Sequence, residues 1–272
     1  MPSSIDHLRR RTPPVLRVAR AARVALHVIR GIATTVFVFP RVGIASRETL
    51  IRSWSTQLLR MMHVEARVEG LPEAGLPGNL LIVANHVSWL DIFVVDSIRP
   101  ARFIAKAEVK RWPLIGRLVA GCGTLFLDRE RRRHAHRVNQ EARDVLAAGD
   151  TIAIFPEGTT TDGKTVLPFH SSLLQPIIDA QGHVLPVAIR YCALDGTYDE
   201  APVYVGETTF LKSLWRVLGE RNLVVEVKLG PPLATSARDR RELTREAETF
   251  IQTALGSSPR GSAPGIRAHR RA

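Results

Sequence analysis

Two short runs, Leu80-Leu81-Ile82-Val83-Ala84 and Thr151-Ile152-Ala153-Ile154-Phe155, are almost unbroken in apolar residues. Runs this short, bounded by turn residues, read as strands buried on both faces of a sheet. Val64-Glu65-Ala66-Arg67-Val68 alternates with period two and reads as a half-buried strand. Shorter apolar segments at 102–105, 124–127, 203–205 and 223–229 predict further strands. The run 184–189 is also apolar, but Pro186 lacks an N–H, so this segment is expected at an edge or a bulge. Between these runs the apolar spacing changes to that of helices. They are predicted at 48–62, at 112–120 with Pro113 at the start, and at 131–148, stopped by Gly149. Two more are predicted at 169–180 and 237–255.

Strands alternating with helices predict an α/β fold: a mixed, largely parallel sheet flanked by helices. The mixed character is expected because the later strands lack clear helices between them. At the N-terminus, residues 24–42 are apolar but broken by His27, Arg30, Pro40 and Arg41. A spanning helix needs about 20 mostly apolar residues. An interfacial helix, with Arg17, Arg20 and Arg23 near anionic head groups, fits the pattern better. The expected division is a basic, membrane-associating segment over 1–48, an α/β domain over 49–256, and a disordered basic tail over 257–272.

Net charge changes the picture only in part. A formal charge of +12 attracts anionic partners, whether lipid surface, nucleic acid or phosphorylated ligand. Aromatic residues make up only 6% of the chain and do not interleave with basic ones, so no nucleic-acid partner is expected. Cys122 and Cys192 are far apart and fit no metal or disulfide pattern; both read as free thiols in a reducing compartment.

The strand at 80–84 runs into Asn85-His86-Val87-Ser88-Trp89-Leu90-Asp91. Histidine is the default general base near neutral pH, and a carboxylate that fixes its tautomer improves it. Five residues on a regular helix are about 140° apart, so His86 and Asp91 would not meet there. A strand-to-helix corner removes that obstacle. The alternative is local: Ser88 to Asp91 also reads as a capping box opening a helix at Trp89.

Gly121 to Arg129 again puts charges at a strand tip, where Arg129 is placed to clamp a phosphate, unless it merely opens the solvated run that follows. In Phe155-Pro156-Glu157-Gly158-Thr159, Gly158 allows close backbone approach, and amides with the Thr159 hydroxyl could hold a polar group; a plain polar turn is the alternative. No G-x-S-x-G elbow and no H-E-x-x-H motif occurs, and His134 and His136 sit on an Arg-rich helix face, which weakens serine- and metal-hydrolase readings.

Taken in order, NHVSWLD, GTLFLDR, FPEGT and VLPVAI resemble the four blocks of the glycerolipid acyltransferase family, which contains the bacterial 1-acylglycerol-3-phosphate acyltransferases. KAEVKRWPLIG, residues 106–116, resembles the family's segment between the first two blocks. The resemblance covers roughly residues 75–190. It implies that His86 takes a proton from an acceptor hydroxyl while Asp91 stabilises the imidazolium. The hydroxyl then attacks a thioester donor, acyl-CoA or acyl carrier protein. Arg129, Glu157, Gly158 and Thr159, with Lys106, are implied in binding the acceptor head group. No metal or cofactor is implied. The implied partners are a lysophospholipid and an anionic membrane surface, with the protein peripheral or monotopic on the cytoplasmic face of the inner membrane. Two positions depart from the phosphate-using members: Thr160 stands where they commonly have Arg, and His170 where they often have Lys. Both changes remove a fixed cation near the implied head-group site, and FPEGTTTDGKTVLPF, residues 155–169, looks closer to the branch acylating lyso-ornithine lipids. Because Arg129 remains, 1-acylglycerol-3-phosphate is the acceptor expected from the sequence, with lyso-ornithine lipid as the alternative.

Overall fold

The computed structural model describes residues 12–111, 115–127 and 132–256. Helix α1 (Pro14–Ala33) runs on through a π turn and a 3₁₀ turn to Arg41, and α2 spans Ile44–Met61. There follow β1 (Val64–Glu69), β2 (Leu80–Ala84), α3 (Asp91–Ile98) and β3 (Arg102–Lys106). Next come α4 (Ile115–Gly121), β4 (Leu125–Leu127), α5 (Arg132–Ala147), β5 (Thr151–Ile154) and α6 (Gln175–Asp179). The chain continues through β6 (His183–Ala193), α7 (Phe210–Val217), β7 (Leu223–Leu229), β8 (Leu233–Ala234) and α8 (Arg240–Ala254).

One sheet holds the strands in the order β1-β7-β6-β2-β5-β3-β4, with β8 on β6. All pairings are parallel except those of β6 with β7 and with β8. The predicted mixed, largely parallel α/β sheet is therefore what forms. Strand β2 shows why its sequence is uniformly apolar. Leu80, Ile82 and Ala84 face the core under α2, α3 and α7, while Leu81 and Val83 face the core under α5 and α8. All five are at most 2% exposed. Burying each Leu, Ile or Val fully stabilises the fold by about 1.5–3 kcal/mol.

Several local expectations shift. β6 is a central strand, paired on both sides, so Pro186 is not at an edge. Its missing donor falls between the β7 and β8 pairings, where Gly230-Pro231-Pro232 bends the neighbouring chain and Gly230 N donates to the Pro186 carbonyl at 2.8 Å. Residues 203–205 form no strand; Tyr204 N instead donates to the Val87 carbonyl at 3.1 Å. The helix expected over 169–180 shrinks to a 3₁₀ turn (Ser171–Leu174) and α6, because Pro176 cannot donate and belongs in a first helical turn. α7 was not foreseen. The predicted start of the helix at residue 112, with Pro113, lies outside the described residues, as does the 257–272 tail.

The division expected near residue 48 falls within α2. Val24, His27 and Gly31 of α1 are buried against the body of the protein. The His27 ring stacks on Trp54 with centroids 4.7 Å apart, and a Cβ on Gly31 would come within 2.7 Å of the Trp54 indole nitrogen. That close approach explains a glycine in mid-helix. The helix Pro14–Arg41 is nevertheless long and apolar enough to cross a membrane, and its other side exposes Val15, Leu16, Val18, Leu26 and Ile29.

Candidate active site

Strands β2 and β5 are parallel neighbours, with Val83 opposite Ile154, so both carboxyl ends open at one place. Ligands of open α/β sheets bind at such ends. β2 delivers Asn85 and His86 there, and β5 delivers Phe155, Pro156 and Glu157. The His86 ring lies flat on Phe155, centroids 3.9 Å apart and planes within 9°. Asn85 is buried and locks its strand to β6, donating to the Ile189 carbonyl at 3.0 Å and accepting from Ile189 N at 2.8 Å.

The corner between β2 and α3 brings His86 and Asp91 together. His86 Nδ1 lies 2.9 Å from Asp91 Oδ2. The same oxygen accepts the backbone amides of Val87 at 2.8 Å and Ser88 at 2.9 Å. Asp91 therefore partners the histidine and also reaches back to the Ser88 amide, which is half of a capping box; the helix does not open at Trp89 as expected. The helix begins at Asp91 itself, with Leu90 N donating to Ser88 Oγ at 3.3 Å. Asp91 is fully buried, and its other oxygen accepts the Tyr191 hydroxyl at 2.7 Å. Burial, and then the Asp91 charge, hold the Tyr191 phenol well above its usual range, so it stays a donor. With Nδ1–H directed at a carboxylate, Nε2 is the imidazole nitrogen left to accept a proton.

Glu157 is buried, and both its oxygens are used: Oε1 accepts His86 N and Oε2 accepts Leu167 N, each at 2.8 Å. The carboxylate thus braces the loop carrying His86 from below. Burial raises its pKa to about 7, with the two amides pulling the other way. Gly158 takes φ +73° at the corner, where a side chain would strain the backbone. Thr161 N donates to the His86 carbonyl at 2.8 Å and His170 N to the Pro156 carbonyl at 3.0 Å. The Thr160 hydroxyl donates to the Tyr204 carbonyl, tying this corner to residues 203–205.

These loops ring a cavity of about 480 Å³ lined by His86, Lys106, Gly158, Thr159 and Thr160 at the chemical end. Its remaining wall is mainly apolar and reaches α1 and α2 through Val24, Leu58 and Trp54. The fold thus brings His86, Asp91, Glu157, Gly158, Thr159 and Lys106 into one region, with Lys106 exposed at the end of β3. Arg129 lies outside the described residues. His170 is exposed and does not line the cavity, whereas Thr160 does. Tyr191, Asn85 and Phe155 were missed from the sequence as site residues.

An α/β sheet that carries a His–Asp pair at the mouth of an apolar cavity suits hydroxyl-to-acyl chemistry, and comparison with known proteins agrees. The acyltransferase family model matches residues 65–190, and the chain belongs to that family. It is 39% identical over 210 residues to a lyso-ornithine lipid O-acyltransferase of Pseudomonas aeruginosa, covering 77% of this chain and 79% of that one. A lyso-ornithine lipid O-acyltransferase of Brucella abortus is 34% identical, covering 73% of this chain and 79% of that one. A 1-acyl-sn-glycerol-3-phosphate acyltransferase of Neisseria gonorrhoeae is 39% identical over 160 residues, 58% of this chain and 62% of the relative. The fold matches the crystal structure of the 1-acyl-sn-glycerophosphate acyltransferase PlsC from Thermotoga maritima. The TM-score is 0.64 and the identity 22%, over 88% of this chain and 96% of that one.

Proposed function

We propose that the protein is a lyso-ornithine lipid O-acyltransferase, moving an acyl group from acyl-CoA or acyl carrier protein to the acceptor's hydroxyl. His86 Nε2 takes the hydroxyl proton, Asp91 stabilises the imidazolium, and the freed oxygen attacks the thioester carbonyl; the C–S bond then breaks, the new ester forms, and the thiol of CoA or of the carrier protein leaves with the proton returned from His86. The corner at 157–160 supplies amides for the oxyanion: Thr159 N and Thr160 N make no protein hydrogen bond among the described residues, and both residues line the cavity beside His86. The reaction transfers an acyl group directly and routes no step through a metal or cofactor.

The observation that carries the choice of acceptor is Thr160. The position at which phosphate-using members commonly hold an Arg lines the cavity here with a hydroxyl committed to the Tyr204 carbonyl. The extent of likeness to the P. aeruginosa and B. abortus relatives supports the same reading. 1-Acylglycerol-3-phosphate is the second reading, favoured by Lys106 at the cavity mouth and by the N. gonorrhoeae relative. Both acceptors are lipids, and α1 brings the enzyme to them from the membrane surface. Its buried Val24, His27 and Gly31 keep that side on the protein, so α1 lies in the interface rather than crossing it, on the cytoplasmic face where the thioester donors are made.

The test is acyl transfer with each acceptor offered separately, from acyl-CoA and from acyl carrier protein, with His86→Ala as control. Transfer to the ornithine lipid and not to 1-acylglycerol-3-phosphate is expected. Transfer to the phosphate acceptor alone would overturn the choice, and transfer undiminished in His86→Ala would overturn the mechanism.

A further inference from the structure

The cavity face of α3 and the turn before it is set by Trp89, Ile92 and Phe93, spaced as one side of a helix. The next position on that stripe is 96, where the pattern calls for another apolar side chain. Asp96 stands there, only 6% exposed, and it also lines the cavity. Oδ1 accepts Ala101 N at 3.1 Å, closing the turn after α3. Oδ2 makes no protein hydrogen bond among the described residues, and neither does the hydroxyl of Thr124, 8% exposed on the same wall. Cys122 lies close enough to feel the Asp96 charge. Burial raises the Asp96 carboxyl to about 8 and the Cys122 thiol to about 12, so near neutrality this part of the wall is polar but uncharged.

The cap on Ala101 needs one acceptor oxygen, and at the wall of the cavity the second is left for a ligand or for solvent to partner. From this we infer that Asp96 and Thr124 form a polar subsite in the acyl cavity that recognises a hydroxyl group carried on the acyl chain. A protonated Asp96 donates to such a hydroxyl, and the hydroxyl in turn donates to Thr124 Oγ1. Asp96 is five residues beyond Asp91 on α3, a rise of about 7.5 Å. The recognised hydroxyl is therefore several carbons from the thioester, away from the reacting atoms.

This inference rests on the acyl-transfer reading, and one experiment separates the two. The purified full chain is given acyl-CoA donors of one chain length, either unsubstituted or bearing a single hydroxyl at successive mid-chain carbons. The quantity read is the kcat/KM ratio of each hydroxylated donor to the unsubstituted one. In the wild type the ratio peaks at one hydroxyl position. Asp96→Leu lowers that peak about tenfold, the effect of one hydrogen bond. Asp96→Asn, which keeps the cap and a donor, retains most of it. Thr124→Val, which leaves the Ala101 cap intact, lowers the same peak several-fold and decides the matter if Asp96→Leu fails to fold. A wild-type ratio flat across positions, or variants that depress all donors equally, would overturn the subsite while leaving acyl transfer standing. Absence of transfer from every donor would overturn the acyl-transfer reading and the subsite with it.

Discussion

At the scale of single residues, the site is organised by one carboxylate. Asp91 accepts from His86 Nδ1, the amides of Val87 and Ser88, and the Tyr191 hydroxyl, and has no exposure to water. His86→Ala removes the proposed base and is expected to lower kcat by at least about 10³-fold, the order found when one member of a catalytic unit is deleted. A single-turnover assay would show it; a loss below tenfold would refute the assignment. Tyr191→Phe strands Asp91 Oδ1 without its donor, at a cost of roughly 1–3 kcal/mol. It is expected to lower both Tm and kcat while leaving KM for the donor unchanged, because Tyr191 touches Asp91 rather than substrate. A normal kcat in Tyr191→Phe would show that the hydroxyl only fills the core. His86 and Asp91 were legible because both fall in one short corner whose chemistry is local. Tyr191 was not, because it lies 100 residues away on a strand whose apolar run signals only burial.

Whole elements tell where the enzyme sits. α1 packs one side on α2 and on the other exposes Val15, Leu16, Val18, Leu26 and Ile29 among the arginines Arg23 and Arg30. A basic helix that also exposes large apolar side chains suits the surface of an anionic membrane. α7 extends this surface. It exposes Leu211 and Trp215, and Arg17 of α1 sits 5.7 Å over the Trp215 ring. The opposite side of α7 faces the cavity, where Ser213 Oγ accepts from the Trp89 indole at 3.0 Å. Replacing Leu16 and Trp215 together by Ser is expected to weaken co-sedimentation with anionic vesicles about tenfold or more, since each buried large side chain contributes about 1.5–3 kcal/mol. Unaltered sedimentation would exclude this face. The strands of the centre were legible as apolar runs, since burial on both faces leaves no other composition. α7 was not, because its eight residues, although amphipathic, are short for a helix, and the apolar residues 203–205 mimic a strand while their backbone serves the His86 loop.

At the scale of the molecule, two buried carboxyls make stability depend on pH in an unusual direction. Glu157 is raised to about 7 and Asp96 to about 8 by burial. A carboxyl whose pKa is raised on folding binds more protons folded than unfolded, so stability falls as pH rises. For Asp96 that contribution is whole below the unfolded value of about 4 and is lost progressively as pH climbs to about 8. Asp239, an exposed helix cap with a lowered pKa, acts in the opposite sense, so the wild-type curve alone does not isolate Asp96. The difference between Asp96→Asn and the wild type does, because Asn keeps the acceptor for Ala101 N and cannot ionise. The variant is expected to match the wild type near pH 4 and to become more stable by roughly 2–5 kcal/mol by pH 8, then level off. Urea unfolding at a series of pH values measures it. A difference that stays constant with pH would mean that Asp96 titrates as an ordinary carboxyl and is charged at neutrality.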